Sequence, residues 1–148
     1  MTLALLLAST FGYCVVSGLV PFVNAEAYLL GAAALAPTRY ALPIVIAGTL
    51  GQMVAKVAMY GAGRGTVMLP GRRIRAWVEQ ARVRYGSYQR LGPGVIFLSA
   101  ASGFPPFYIV SIGCGVLRTP LARFIVLGTI GRFLRFGTVV LVPYLIRQ

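Results

Sequence analysis

Ser102-Gly103-Phe104-Pro105-Pro106-Phe107, followed by Gly128-Thr129-Ile130-Gly131-Arg132, is the stretch whose reading decides the fold. Both blocks have an earlier counterpart. Ser17-Gly18-Leu19-Val20-Pro21-Phe22 stands 85 positions before the first, and Gly48-Thr49-Leu50-Gly51-Gln52 stands 80 positions before the second. Gly, Leu and Pro are frequent in this chain, so neither match carries much alone. The ordered pair implies one unit written twice, and in membrane transporters such a duplication brackets the substrate pathway.

Composition points the same way. The chain has 148 residues, about one domain, and 58% of them are hydrophobic; soluble domains hold about 45–50% apolar residues. Mean hydropathy is +0.82, and the 11% of charged residues cannot cover a soluble surface. An integral membrane protein is expected. Thirteen Arg and one Lys face only Glu26 and Glu79, giving a net charge of +12. Most arginines lie between apolar runs, which fits topology and anionic headgroups better than nucleic acid. Cys14 and Cys114 lie inside apolar runs, with no metal-ligand spacing and no disulfide framework. The chain has no His and no Asp, which removes the His-based triads and metal sites. No catalytic residue, metal or cofactor is expected, and the chain does not read as an enzyme.

Outward from the repeated blocks, residues 2–20 are almost wholly apolar. They resemble a signal peptide with Val23-Asn24-Ala25 as the cleavage site, but no basic n-region precedes them. Pro21, Asn24 and Glu26 then interrupt the run, which resumes from Ala27 to Ala36. This reads as a re-entrant hairpin; two short spans joined by an ordinary loop are the alternative. Broken backbone at membrane depth needs protein or a wet cavity around it. Pro37-Thr38-Arg39 makes a turn. Residues 41–62 form a clear span, ~33 Å long against a hydrocarbon core of ~30 Å. Gly48, Gly51, Gln52 and Ala55 share one face of it, the kind of small-residue stripe that lets helices approach. Lys56 is expected to snorkel to the surface.

Residues 63–91 are the polar connector, with seven arginines that place it in the cytoplasm. Within it, Ile74, Trp77, Val78, Ala81 and Tyr85 form an apolar stripe on a helix over 72–85. Arg72, Arg75, Glu79 and Arg82 lie off the stripe, and Arg73 adds to the basic side. The pattern is that of an interfacial amphipathic helix, with a solvated linker helix as the alternative. Residues 92–117 repeat the hairpin. Its first arm, Gly92 to Ala101, covers only ~15 Å, Gly103, Pro105 and Pro106 break it, and Phe107 to Leu117 form the second arm. Residues 121–146 are the second clear span.

Counting crossings, a hairpin returns to its own side and the following span crosses once, so the second unit is inverted. Arg118 and Arg123 then join the connector inside, and only Arg39 and Arg147 lie outside: nine arginines against two. The fold expected is all-α, a single membrane domain of two inverted repeats. Each repeat is a re-entrant helical hairpin plus a transmembrane helix. The first covers about 1–62 and the second about 92–148, and the cytoplasmic amphipathic helix in 63–91 joins them. The setting expected is a multi-pass protein of the plasma (inner) membrane.

Arg132 and Arg135 fall mid-span, three positions apart beside Gly128 and Gly131. A charge at the bilayer centre costs about 2.5–3.5 kcal/mol on insertion scales, so both should face protein or water. Glu26 is the available counter-charge, and spacing does not choose between the arginines. Such a pair serves structure alone, or gates a route for a phosphate headgroup, for which arginine is the preferred bidentate partner.

Glu26 after an early break, then Gly51-Gln52, then Tyr60-Gly61-Ala62-Gly63-Arg64, resembles the DedA family of membrane proteins, whose domain is also called the VTT or SNARE-associated domain. So do Gly103-Phe104-Pro105-Pro106 and the following Gly113, Gly115, Phe124 and Gly131. The likeness covers about residues 17–140, and Tyr60-x-x-Gly63-Arg64 is its most specific motif. The chain departs from the pattern at Gln52, where Asp or Asn is common, and at Ser99 and Ser102, near which the family carries Arg and Asp. The resemblance implies two opposed re-entrant hairpins and lipid translocation, as a flippase or scramblase of phospholipid or polyprenyl phosphate. A small-anion transporter and a non-transporting membrane-shaping or assembly protein are the alternatives. The partners expected are membrane lipids with anionic or phosphate-bearing headgroups and no nucleic acid; a homo-oligomer is compatible. Glu26, Gln52, Arg132 and Arg135 are the expected pathway residues, and Pro21, Asn24, Gly103, Pro105 and Pro106 the hairpin breaks.

Overall fold

The computed structural model describes residues 2–20, 22–65, 71–85 and 92–146. Every regular element among them is helical: α1 Leu3–Leu19, α2 Ala25–Leu35, a 3₁₀ turn Thr38–Tyr40, α3 Ala41–Arg64, α4 Arg72–Tyr85, α5 Pro93–Ser102, α6 Phe107–Val116 and α7 Leu121–Ile146. By length and composition α3 and α7 are able to cross a membrane. At 1.5 Å per residue they run ~36 and ~39 Å, whereas α2, α5 and α6 fall short of a ~30 Å hydrocarbon core.

Local chemistry sets the ends. The Thr2 side chain accepts from the Leu5 N–H at the start of α1. Pro93 stands at the start of α5, where its missing N–H costs nothing. Gly103 closes α5 in the left-handed region, φ 81°, and its N–H donates to Ser99 O. The expected arms and spans therefore lie close to the observed helices. Glu26 is the exception. It does not stand in the break but in the first turn of α2, because Asn24 caps the helix one residue before Ala25. Pro21 lies outside the described residues, as do 66–70 and 86–91 of the connector and Arg147.

The chain forms two compact units, Met1–Ala55 with Arg132–Gln148, and Lys56–Gly131. The first unit is built on a core of Leu6, Cys14, Leu29, Ala33, Ile44, Val45, Phe136, Val140 and Tyr144. Its helices approach closely: Gly51 lies against the Phe11 carbonyl, and a Cβ there would stand 3.0 Å from Cys14 Cβ. Tyr144 ties α7 to the end of α2 by donating to Ala36 O at 3.4 Å.

In the second unit α3 and α6 meet backbone to backbone at Gly63 and Gly115. Tyr60 stacks on Phe124 at 5.3 Å, and Phe107 stacks on the same ring at 5.8 Å. Helix α4 packs on α6 through its apolar stripe: Val78 is buried and Trp77 lies 5.4 Å from Tyr108. Ile74 is half-buried, while Arg72, Arg73 and Arg75 are exposed. Lys56, expected at the surface, is buried, with its ammonium 3.9 Å from Met59 Sδ. It sits one turn after Gln52 and so continues the packed face of α3.

Candidate functional site

The site grows from the first break. Asn24 Oδ1 accepts from the backbone N–H of Glu26 at 2.9 Å and of Ala27 at 3.2 Å. These are two of the donors that a helix start leaves without partners. Capping fixes the first turn of α2 and thereby aims Glu26. A carboxylate there also suits the positive end of the helix dipole.

Arg135, 109 positions away, donates through Nε to Glu26 Oε1, and its Nη2 forms a salt bridge with the same oxygen. The two side chains are 24% and 33% exposed, so the pair is largely withdrawn from its surroundings. Arg135 thus makes a direct ion pair with the glutamate. Arg132, one turn earlier, lies with its guanidinium 5.9 Å from the centroid of the Phe136 ring, a cation–π arrangement.

Gln52 takes part in a hydrogen-bond relay at the break. Its Nε2 donates to Ser17 Oγ at 3.1 Å, and Ser17 Oγ donates to Val23 O at 2.6 Å. Gln52 and Ser17 are both buried. This relay ties α3, the last turn of α1 and the broken segment together. Ser17→Ala strands the Gln52 amide and the Val23 carbonyl, and is expected to cost about 1–3 kcal/mol. Gln52→Leu leaves the Ser17–Val23 bond in place and is expected to cost about 1 kcal/mol. Thermal melts of both variants in detergent give that order if the relay holds the break, and the reverse order contradicts it.

The second break has the same device. Ser99 Oγ donates to Pro105 O at 2.5 Å, again six residues on. Ser102 Oγ donates to Leu98 O at 2.6 Å and accepts from the Phe104 N–H at 3.2 Å. Beside each acceptor stands an exposed phenylalanine, Phe22 at 80% and Phe104 at 79%. The bonding at the two breaks matches at a spacing of 82, not the 85 of the sequence match, with Ser99 rather than Ser102 bonding as Ser17 does. Sequence reasoning quoted Ser17, Phe22, Ser99 and Phe104 but did not see the bonds at the breaks. The signal was a serine followed five residues later by Phe at both breaks. Pro105 and Pro106 occupy the second break, between α5 and α6.

The Tyr60-x-x-Gly63-Arg64 motif builds a packed joint. Tyr60 OH donates to Thr119 O at 2.5 Å and accepts from Arg64 Nη1 at 3.1 Å. Gly63 rests on the Ile112 carbonyl and Gly115 on the Tyr60 carbonyl. Gly113 is buried, and its carbonyl accepts from the Leu117 N–H at 2.9 Å. A Cβ at Gly131 would meet Ala100 Cβ at 2.7 Å. Among the described residues no three of His, Cys, Asp and Glu gather as metal ligands, and Cys14 and Cys114 are buried free thiols.

No protein-family model, curated protein or solved structure matches this chain.

Proposed function

We propose that this chain is a multi-pass membrane protein that translocates lipids with phosphate-bearing headgroups, in the manner the DedA/VTT resemblance implies. The observation that carries the reading is the half-buried pair between Glu26 of α2 and Arg135 of α7, the latter a helix long and apolar enough to span a bilayer. A charge there is costly unless matched. Glu26 holds Arg135 in place between transport events, and a headgroup phosphate, the other good bidentate partner of a guanidinium, exchanges with the carboxylate. Arg132, one turn away, supplies a second cation along the same helix. The two serine-stapled breaks are the tips of two re-entrant hairpins. The matching staple, six residues from donor to acceptor in each, supports the duplication. The exposed arginines Arg72, Arg73 and Arg75 of α4 lie at cytoplasmic headgroups.

Two experiments test this. Single cysteines placed at the exposed positions Thr38 and Gln80 should react with an impermeant reagent from opposite sides of the membrane; reaction from one side alone would end the inverted topology. Purified protein in liposomes should then carry fluorescent phospholipid between leaflets. Transport suppressed in proportion by soluble phosphate would point to a small-anion carrier using the same arginines. Lipid left in its leaflet would leave only a membrane-shaping role.

A further inference from the structure

The first unit carries a second feature that the ion pair does not use. A groove of about 520 Å³ runs beside α2, with Leu6, Ser9, Tyr28, Gly31, Leu35 and Tyr40 among its lining residues. Its long wall is the Ala27–Gly31–Leu35 face, residues four apart that stack along the helix over ~12 Å. The sequence keeps this wall low. A Cβ at Gly31 would meet nothing within 4 Å, and Leu35 is 90% exposed. Polar groups are few and placed. Tyr28 OH donates to Ser9 Oγ at 3.1 Å. Tyr40 OH accepts from Arg39 Nη2 at 3.3 Å, and the Arg39 guanidinium lies 5.0 Å from the Tyr40 ring centroid. Arg39 is exposed, and its fork carries further N–H donors. The groove end is tied to α7, because the hydroxyl of buried Tyr144 lies 3.4 Å from the Ala36 carbonyl and 3.5 Å from that of Pro37, sharing its one proton between them.

An apolar trough with a cation at one end matches an amphiphile with an anionic head. We propose that this groove binds one anionic glycerophospholipid, with an acyl chain along Ala27, Gly31 and Leu35 and the phosphate on Arg39. Free phosphate would use Arg39 and leave the trough empty; a zwitterionic lipid would fill the trough with little gain from a single exposed cation. The site rests on the reading of the chain as a membrane protein, not on its moving lipid.

The test uses the full chain in nanodiscs, with phosphatidylglycerol or phosphatidylcholine bearing a photoreactive group on one acyl chain. Adducts are mapped by peptide mass spectrometry. Phosphatidylglycerol adducts should concentrate on residues 27–35, and Arg39→Gln should lower them about fivefold, to the phosphatidylcholine level. Gly31→Leu should remove them while leaving the thermal melt unchanged. Equal labelling by the two lipids in the wild type, or labelling indifferent to Arg39→Gln, would overturn the site. If Gly31→Leu disturbs the fold, the Arg39 comparison decides alone. Leaflet transport is read separately in liposomes, so a wild type that labels but does not transport refutes the translocation reading and leaves this one standing.

Discussion

Gly115→Leu should lower the stability of the second unit by about 3 kcal/mol, the upper end for overpacking a close contact. A Cβ at Gly115 would run into the Tyr60 carbonyl and stand 2.8 Å from the Arg64 backbone nitrogen. These are main-chain atoms of α3, so no side chain can swing aside; the helix itself must move. Moving it strains the Tyr60–Thr119 hydrogen bond and the Tyr60–Phe124 stack together. Gly63→Leu should behave alike, since its Cβ would meet the Ile112 backbone. Gly94→Ala is the control. Nothing lies within 4 Å of that position, so it should be neutral or slightly stabilising. Circular-dichroism melts in detergent measure all three. A Gly115→Leu protein that melts with the wild type would mean that α3 and α6 do not meet at this joint.

The second large effect belongs to the ion pair. Glu26→Gln or Arg135→Gln leaves one charge without its partner, which costs about 3–5 kcal/mol for a fully buried pair. Here the side chains keep a quarter to a third of their exposure, so about 2–3 kcal/mol is expected for each single change. The double variant should lose less than the sum, because the second substitution removes the stranded charge. Glu26→Gln combined with Arg132→Gln should couple less strongly, since the direct salt bridge belongs to Arg135. Equal coupling to both arginines would mean that the carboxylate moves between them.

Much of the architecture was legible. The stripe of Ile74, Trp77 and Val78 marked α4, and Leu121 to Ile146 stood out as one long apolar run. What escaped depends on rotation and on atoms distant in sequence. Glu26 looked like part of a break, yet two hydrogen bonds from backbone N–H groups to Asn24 put it on a helix. Spacing placed Arg132 and Arg135 on one face; the direct contact of Arg135 with Glu26 needed the fold. The hydrogen bond from Gln52 to Ser17, 35 positions away, could not be read from spacing. The groove was invisible for a simpler reason: Gly31 contributes by lacking a side chain.

Leaflet transport by the charge-neutral double variant tests the central claim most directly. Glu26→Gln with Arg135→Gln removes both charges, so its stability should return toward the wild type. If Arg135 also takes the phosphate, transport of fluorescent phospholipid in liposomes should stay at least about tenfold below the wild type, the order of a lost charged hydrogen bond. Recovery of transport along with stability would show that the pair only braces the fold, and that lipid headgroups do not meet Arg135.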